Sequence, residues 1–180
     1  MAARLRCAPP RSTRQLLWIS LAACIAAEPP WSRAGGTPVA ATTPLVDQYG
    51  AASSVADQRG QVVVAIIVSA RTLRQLRKWE EALRERHKSL RYARIADVDE
   101  KVQPSWAEVA ATLRGRVPEG VAVSIDTARV WAGELALETR RPNLLLFGRD
   151  GALAARFRGS YTDQEFARVS AVVDSLLGRP

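Results

Sequence analysis

Val62-Val63-Val64-Ala65-Ile66-Ile67-Val68 runs without a polar residue, then breaks into Ser69-Ala70-Arg71-Thr72-Leu73-Arg74-Gln75. Most of the apolar run is β-branched, which favours a strand. An unbroken run has no polar face, so the predicted strand is buried on both sides, as in a helix-covered parallel sheet. From residue 71 the period changes. Leu73, Leu76, Trp79 or Glu80, and Leu83 share one side of a helix predicted over 71–88, and Arg74, Lys78, Glu81 and Glu85 share the other. The residues between are a strand-to-helix corner.

Working outward, residues 90–97 alternate as a strand. Ser105-Trp106-Ala107-Glu108 reads as a capping box opening a helix through about Leu113. Val121 to Ile125 is a short strand, and 127–137 reads as a helix ending before Arg140-Arg141-Pro142. Asn143 to Phe147 is a second buried strand, Arg149-Asp150-Gly151 a hairpin turn, and Ala152 to Phe157 an edge strand. Thr162-Asp163-Gln164-Glu165 opens a final helix through Leu177, with Phe166, Val169 and Val173 on its inner face. The order β-α-β-α-β-α-β-β-α predicts an α/β sheet of mixed direction.

Upstream, residues 1–15 are basic and residues 16–27 are apolar but too short to span a bilayer as a helix. A basic stretch, a short apolar stretch and small residues read as a secretion signal. Leu21-Ala22-Ala23-Cys24 resembles a bacterial lipobox, which predicts a signal over 1–23 and a lipid on Cys24. The alternative is ordinary cleavage near Ala26 or Ala27. Residues 24–43, rich in Ala, Pro, Gly and Thr, read as a flexible linker to a domain over 44–180. The expected location is therefore beyond the inner membrane, in the periplasm, with the lipid as the contact to the membrane.

The chain has 180 residues, 47% of them hydrophobic and 24% charged, enough for a buried core. Its formal charge of +8 includes Arg4, Arg6, Arg11 and Arg14 of the leader. The surplus beyond the leader is small and scattered, and does not argue for nucleic acid. Two cysteines, Cys7 and Cys24, and one histidine, His87, exclude Cys/His zinc sites and iron–sulfur clusters. His87 ends a charged helix and reads as a cation complementing the helix dipole. Asp97, Asp99 and Glu100 cluster after a strand, where turn and capping needs account for them better than a divalent cation does. Trp79, Trp106 and Trp131 read as packing residues.

The element order resembles the thioredoxin-like superfamily in its redoxin and TlpA-like type. Three stretches carry the resemblance: Asp47-Gln48-Tyr49-Gly50 with Ser54 and Ala56-Asp57-Gln58-Arg59-Gly60-Gln61; Pro142-Asn143 leading the LLLF strand; and Arg149-Asp150-Gly151 with Gly159. It covers about residues 44–178 and implies a three-layer sandwich, a mixed β-sheet flanked by helices. In that family a Cys-x-x-Cys occupies the corner after the central strand. Here the matching positions are Thr72, Leu73, Arg74 and Gln75. Thiol–disulfide exchange needs a thiolate and a resolving thiol. A threonine hydroxyl and a glutamine amide supply neither, so no catalytic residue is expected there.

The resemblance also puts Pro142 at the family's cis-proline beside a peptide groove, which makes Arg141, Pro142 and Asn143 candidate binding residues. Arg71, Arg74 and Arg140 would make that groove basic, unless these arginines are merely solvated. The function expected is a redox-inactive binding or accessory module in the cell envelope, with a protein or peptide partner and neither cofactor nor metal. The alternative is an oxidoreductase or redoxin-family enzyme by descent, working by non-thiol chemistry.

Overall fold

The computed structural model describes residues 36–98 and 104–178. The apolar run forms β3 (Val63–Ser69), buried along nearly its whole length. It pairs in parallel with β4 (Arg91–Asp97) and antiparallel with β6 (Asn143–Phe147). Around it stand β1 (Leu45–Asp47), β2 (Ala52–Ser53), β5 (Ser124–Asp126) and β7 (Leu153–Arg158). The seven strands lie in the order β2-β1-β5-β4-β3-β6-β7, and the mixed direction matches the expectation.

The helices are α1 (Val39–Thr42), α2 (Arg74–Arg86), α3 (Trp106–Arg116), α4 (Val130–Glu134) and α5 (Asp163–Leu176). Alternate residues of β3 serve opposite faces of the sheet. Val64, Ile66 and Val68 pack with Leu76, Trp79 and Leu83 of α2 and Val169 and Val173 of α5. Val63, Ala65 and Ile67 pack with α1 and with Trp131 of α4. On the α2 face, α3 covers Ala96 and Ile125 with Val109, Ala110 and Leu113. Three layers result, with α2 and α3 crossing over between the parallel strands β3, β4 and β5.

Several expected boundaries move. The linker predicted over 24–43 does not hold for residues 36–43. Ala40 and Ala41 are buried, and the Glu134 carboxylate accepts from Val39 N and Ala40 N at the start of α1. A single helical turn is too short to show a period in sequence. The β1–β2 hairpin lies in a stretch read only for its motif.

Helix α2 starts at Arg74 rather than 71, because Thr72 N closes a turn onto Ser69 O. Helix α4 is half the length expected. Arg129 and Ala136, both at positive φ, bracket it, and neither is a glycine. The predicted strand Val121–Ile125 is shorter, and β5 begins only at Ser124.

His87 lies inside the domain. It is fully buried at the C-terminus of α2. Its Nε2 lies 3.3 Å from Ser170 Oγ and its Nδ1 3.5 Å from Asp174 Oδ1, both on α5. The second separation is longer than a short hydrogen bond. Trp79 and Trp131 are buried as expected, and Trp79 Nε1 donates to Gly159 O. The secretion signal, Cys7, Cys24, Asp99 and Glu100 lie outside the described residues.

Candidate functional site

The corner after β3 is built from backbone. Ser69 N donates to Thr139 O at 2.7 Å, and Ala70 N donates to Asp97 O at 2.9 Å. These bonds tie the corner to the segment leading into β6 and to the end of β4. Thr72 closes the turn twice. Its N–H donates to Ser69 O at 2.8 Å, and its hydroxyl contacts the same oxygen at 3.3 Å. The hydroxyl is thus spent within the turn, and no described imidazole or carboxylate stands as a base against it. Leu73 packs inward between two core clusters, and Arg74 is exposed at the first position of α2.

Beneath the corner lies a buried polar cluster. Asp97 and Asp126 are register partners at the ends of β4 and β5. Asp97 accepts from the Thr139 hydroxyl at 2.5 Å and pairs with Arg129 Nε at 3.2 Å. Asp126 accepts from Val130 N at 2.9 Å and Trp131 N at 3.0 Å, which starts α4. Burial pushes the Asp126 carboxyl above its ordinary range. Its backbone donors pull the other way, and the neighbouring Asp97 adds to the rise. The Asp97 and Asp126 oxygens described here are engaged in holding loops. Among the described residues no three His, Cys, Asp or Glu side chains gather as a metal-ion site.

The candidate residues separate in space. Pro142 and Asn143 are buried. Asn143 Nδ2 donates to Glu138 O at 3.1 Å and Arg141 O at 3.0 Å, so it braces the loop and does not face outward. Among the described residues no peptide bond is cis, so the bond before Pro142 is trans, unlike the cis-proline that the resemblance implies. Arg141 does reach a cleft of about 510 Å³, which it lines together with Gln75, Glu138, Arg140, Arg158 and Ser160. Thr72, Arg71 and Arg74 do not line it.

Sequence reasoning missed Glu138, Arg158 and Ser160. Arg158 faces Asn143 across the β6–β7 ladder, but the ladder shifts by one residue between Leu146 and Phe147. A one-residue slip reverses which side chains share a face, so the turn alone does not place Arg158 beside Arg141.

No protein-family model matches the chain, and no curated protein matches it in sequence. Solved structures do match. A Chlorobium tepidum protein assigned as the thiol:disulfide interchange protein DsbE superposes with a TM-score of 0.61 at 16% identity, over 81% of this chain and 99% of that one. The pneumococcal exposed lipoprotein thioredoxin Etrx1 of Streptococcus pneumoniae gives 0.57 at 14%, over 71% and 96%. The fold is thioredoxin-like. A secreted Mycobacterium tuberculosis disulfide oxidoreductase homologous to E. coli DsbE gives 0.52 at 11%, over 72% and 95%. In this thioredoxin-like chain the corner Ser69–Gln75 carries no cysteine, and no cysteine occurs after Cys24.

Proposed function

We propose that the chain is a thioredoxin-fold binding or accessory module of the cell envelope that carries out no thiol–disulfide exchange. One observation carries the reading. The corner where this fold would hold an attacking thiolate holds Thr72, whose hydroxyl is turned back onto Ser69 O. Exchange needs a sulfur nucleophile and a sulfur leaving group. An alcohol at an ordinary helix start is not ionised near neutral pH, and Gln75 cannot resolve a mixed disulfide. The envelope location rests on the basic-then-apolar leader with Cys24 as its lipid-bearing residue. The neighbours described as an exposed lipoprotein and as secreted support it.

Insulin reduction tests the central claim. The expected rate with dithiothreitol equals that of a heat-killed control, and turnover above it would refute the reading in favour of an oxidoreductase. Intact mass of the envelope-extracted protein tests the anchor. The expected species begins at a diacylglyceryl-modified Cys24, whereas an unmodified start near residue 27 would remove the anchor and leave the module.

A further inference from the structure

The cleft beside the corner is a charged one. Three guanidinium groups, Arg140, Arg141 and Arg158, share it with one carboxylate, Glu138. Glu138 stands 3.6 Å from Arg158 in an exposed pair. Such a pair contributes little and is readily exchanged. Arg140 and Arg141 have no acidic partner among the described residues, although both are exposed next to each other in sequence. Their backbone is nevertheless fixed: Thr139 O accepts from Ser69 N, Arg141 O accepts from Asn143 Nδ2, and Pro142 O accepts from Gly159 N. Two unneutralised cations on a braced loop are a preorganised anion receptor, because the backbone entropy of presenting them is lost on folding rather than on binding.

A second, independent feature narrows the ligand. Gln75 Oε1 is buried and has no hydrogen-bond partner. A primary amide that no protein group holds can turn into the cleft without losing a bond, and there it complements a backbone amide. Guanidinium forks match carboxylates bidentately. The volume is that of an ordinary ligand site. Glu138 at the same wall disfavours a dense multiple charge such as a phosphate cluster or an anionic lipid surface.

We propose that the cleft binds an acidic peptide segment, its side-chain carboxylates on Arg140 and Arg141 and its backbone on Gln75. This rests on the binding-module reading and names the class of partner.

Fluorescence anisotropy of the purified domain tests it, with a fluorescein-labelled peptide of alternating Glu and Ala and a matched peptide of alternating Gln and Ala. The glutamate peptide is expected to bind at least about 10-fold tighter, an advantage that added salt erodes. The R140Q/R141Q double variant, with circular dichroism unchanged, should lose about 10-fold for the glutamate peptide only. R149Q, on the hairpin away from the cleft, should lose nothing. Equal binding of both peptides would overturn acidic selectivity while leaving a peptide-binding module in place. Binding of neither peptide, or retention of affinity by R140Q/R141Q, would overturn the proposal. So would capture by phosphatidylglycerol vesicles that depends on the same two arginines, which would make the cleft a lipid site. Thiol activity is read separately with insulin, so the two readings fail independently.

Discussion

Asp126 has no contact with solvent, and its carboxylate anchors the start of α4 through two backbone donors. Its raised pKa has a definite sign for stability. A carboxyl that titrates above its ordinary value of about 3.9 in the folded chain holds its proton more tightly there than in the unfolded chain. The stability tied to it is therefore present below about pH 3.9 and is lost as pH rises through the raised value. Asparagine cannot ionise and keeps one acceptor oxygen for Val130 N or Trp131 N. D126N is thus expected to lack that decline. Urea unfolding between about pH 3.5 and 7 should show wild type losing ground to the variant as pH rises across the window, then running parallel above it. Parallel curves throughout would contradict the burial assignment.

At the scale of elements, the seam between α2 and α5 is closed by a polar bridge inside an apolar contact. His87 of the α2 terminus meets Ser170 and Asp174, and Arg86 reaches the same Asp174 at 3.1 Å. The spacing of serine, imidazole and carboxylate resembles a hydrolytic triad, but Ser170 and His87 are both buried and neither reaches the arginine cleft. The bridge therefore works as a clasp. H87A leaves a cavity and strands the Ser170 hydroxyl, so it is expected to cost about 3 kcal/mol in chemical unfolding. A loss below about 0.5 kcal/mol would mean the seam is held by its leucines and valines alone.

This clasp also shows where the sequence ran out. Strong periods and unbroken apolar runs made β3, α2, β6 and α5 legible, because those elements bury whole faces. His87 reads as a cation complementing the helix dipole because its neighbours Arg84, Glu85, Arg86 and Lys88 are charged, and only the docking of α5 decides which side of the helix end is covered. The arginine cleft was half legible for the same reason. Arg140 and Arg141 are local to Pro142, whereas Arg158 joins them only through a bulged ladder. Arg129 and Ala136 shorten α4 by left-handed backbone that ordinary residue preferences do not foretell.

At the scale of the whole molecule, the chain is tied down earlier than its composition implies. Leu153 N donates to Gly36 O, Thr37 Oγ1 donates to Gly151 O, and α1 takes the Glu134 carboxylate at its start. Removing residues 1–35 leaves every one of these ties in place and gives the reference midpoint. Removing residues 1–43 strips two buried alanines and leaves Glu134 without its two donors, and is expected to lower stability by about 2 kcal/mol, read as a fall of several degrees in the thermal midpoint. Equal midpoints for the two truncations would show that α1 is an ornament on the sheet.

The clip on Gly36 and Thr37 sits at the β6–β7 turn, where Phe147 faces Leu153, while Arg141 and Arg158 flank the other end of the same hairpin, where Asn143 faces Arg158. Whatever precedes residue 36 thus joins the domain at the pole opposite the arginines. A tether entering at that end leaves the basic mouth clear of its own point of attachment.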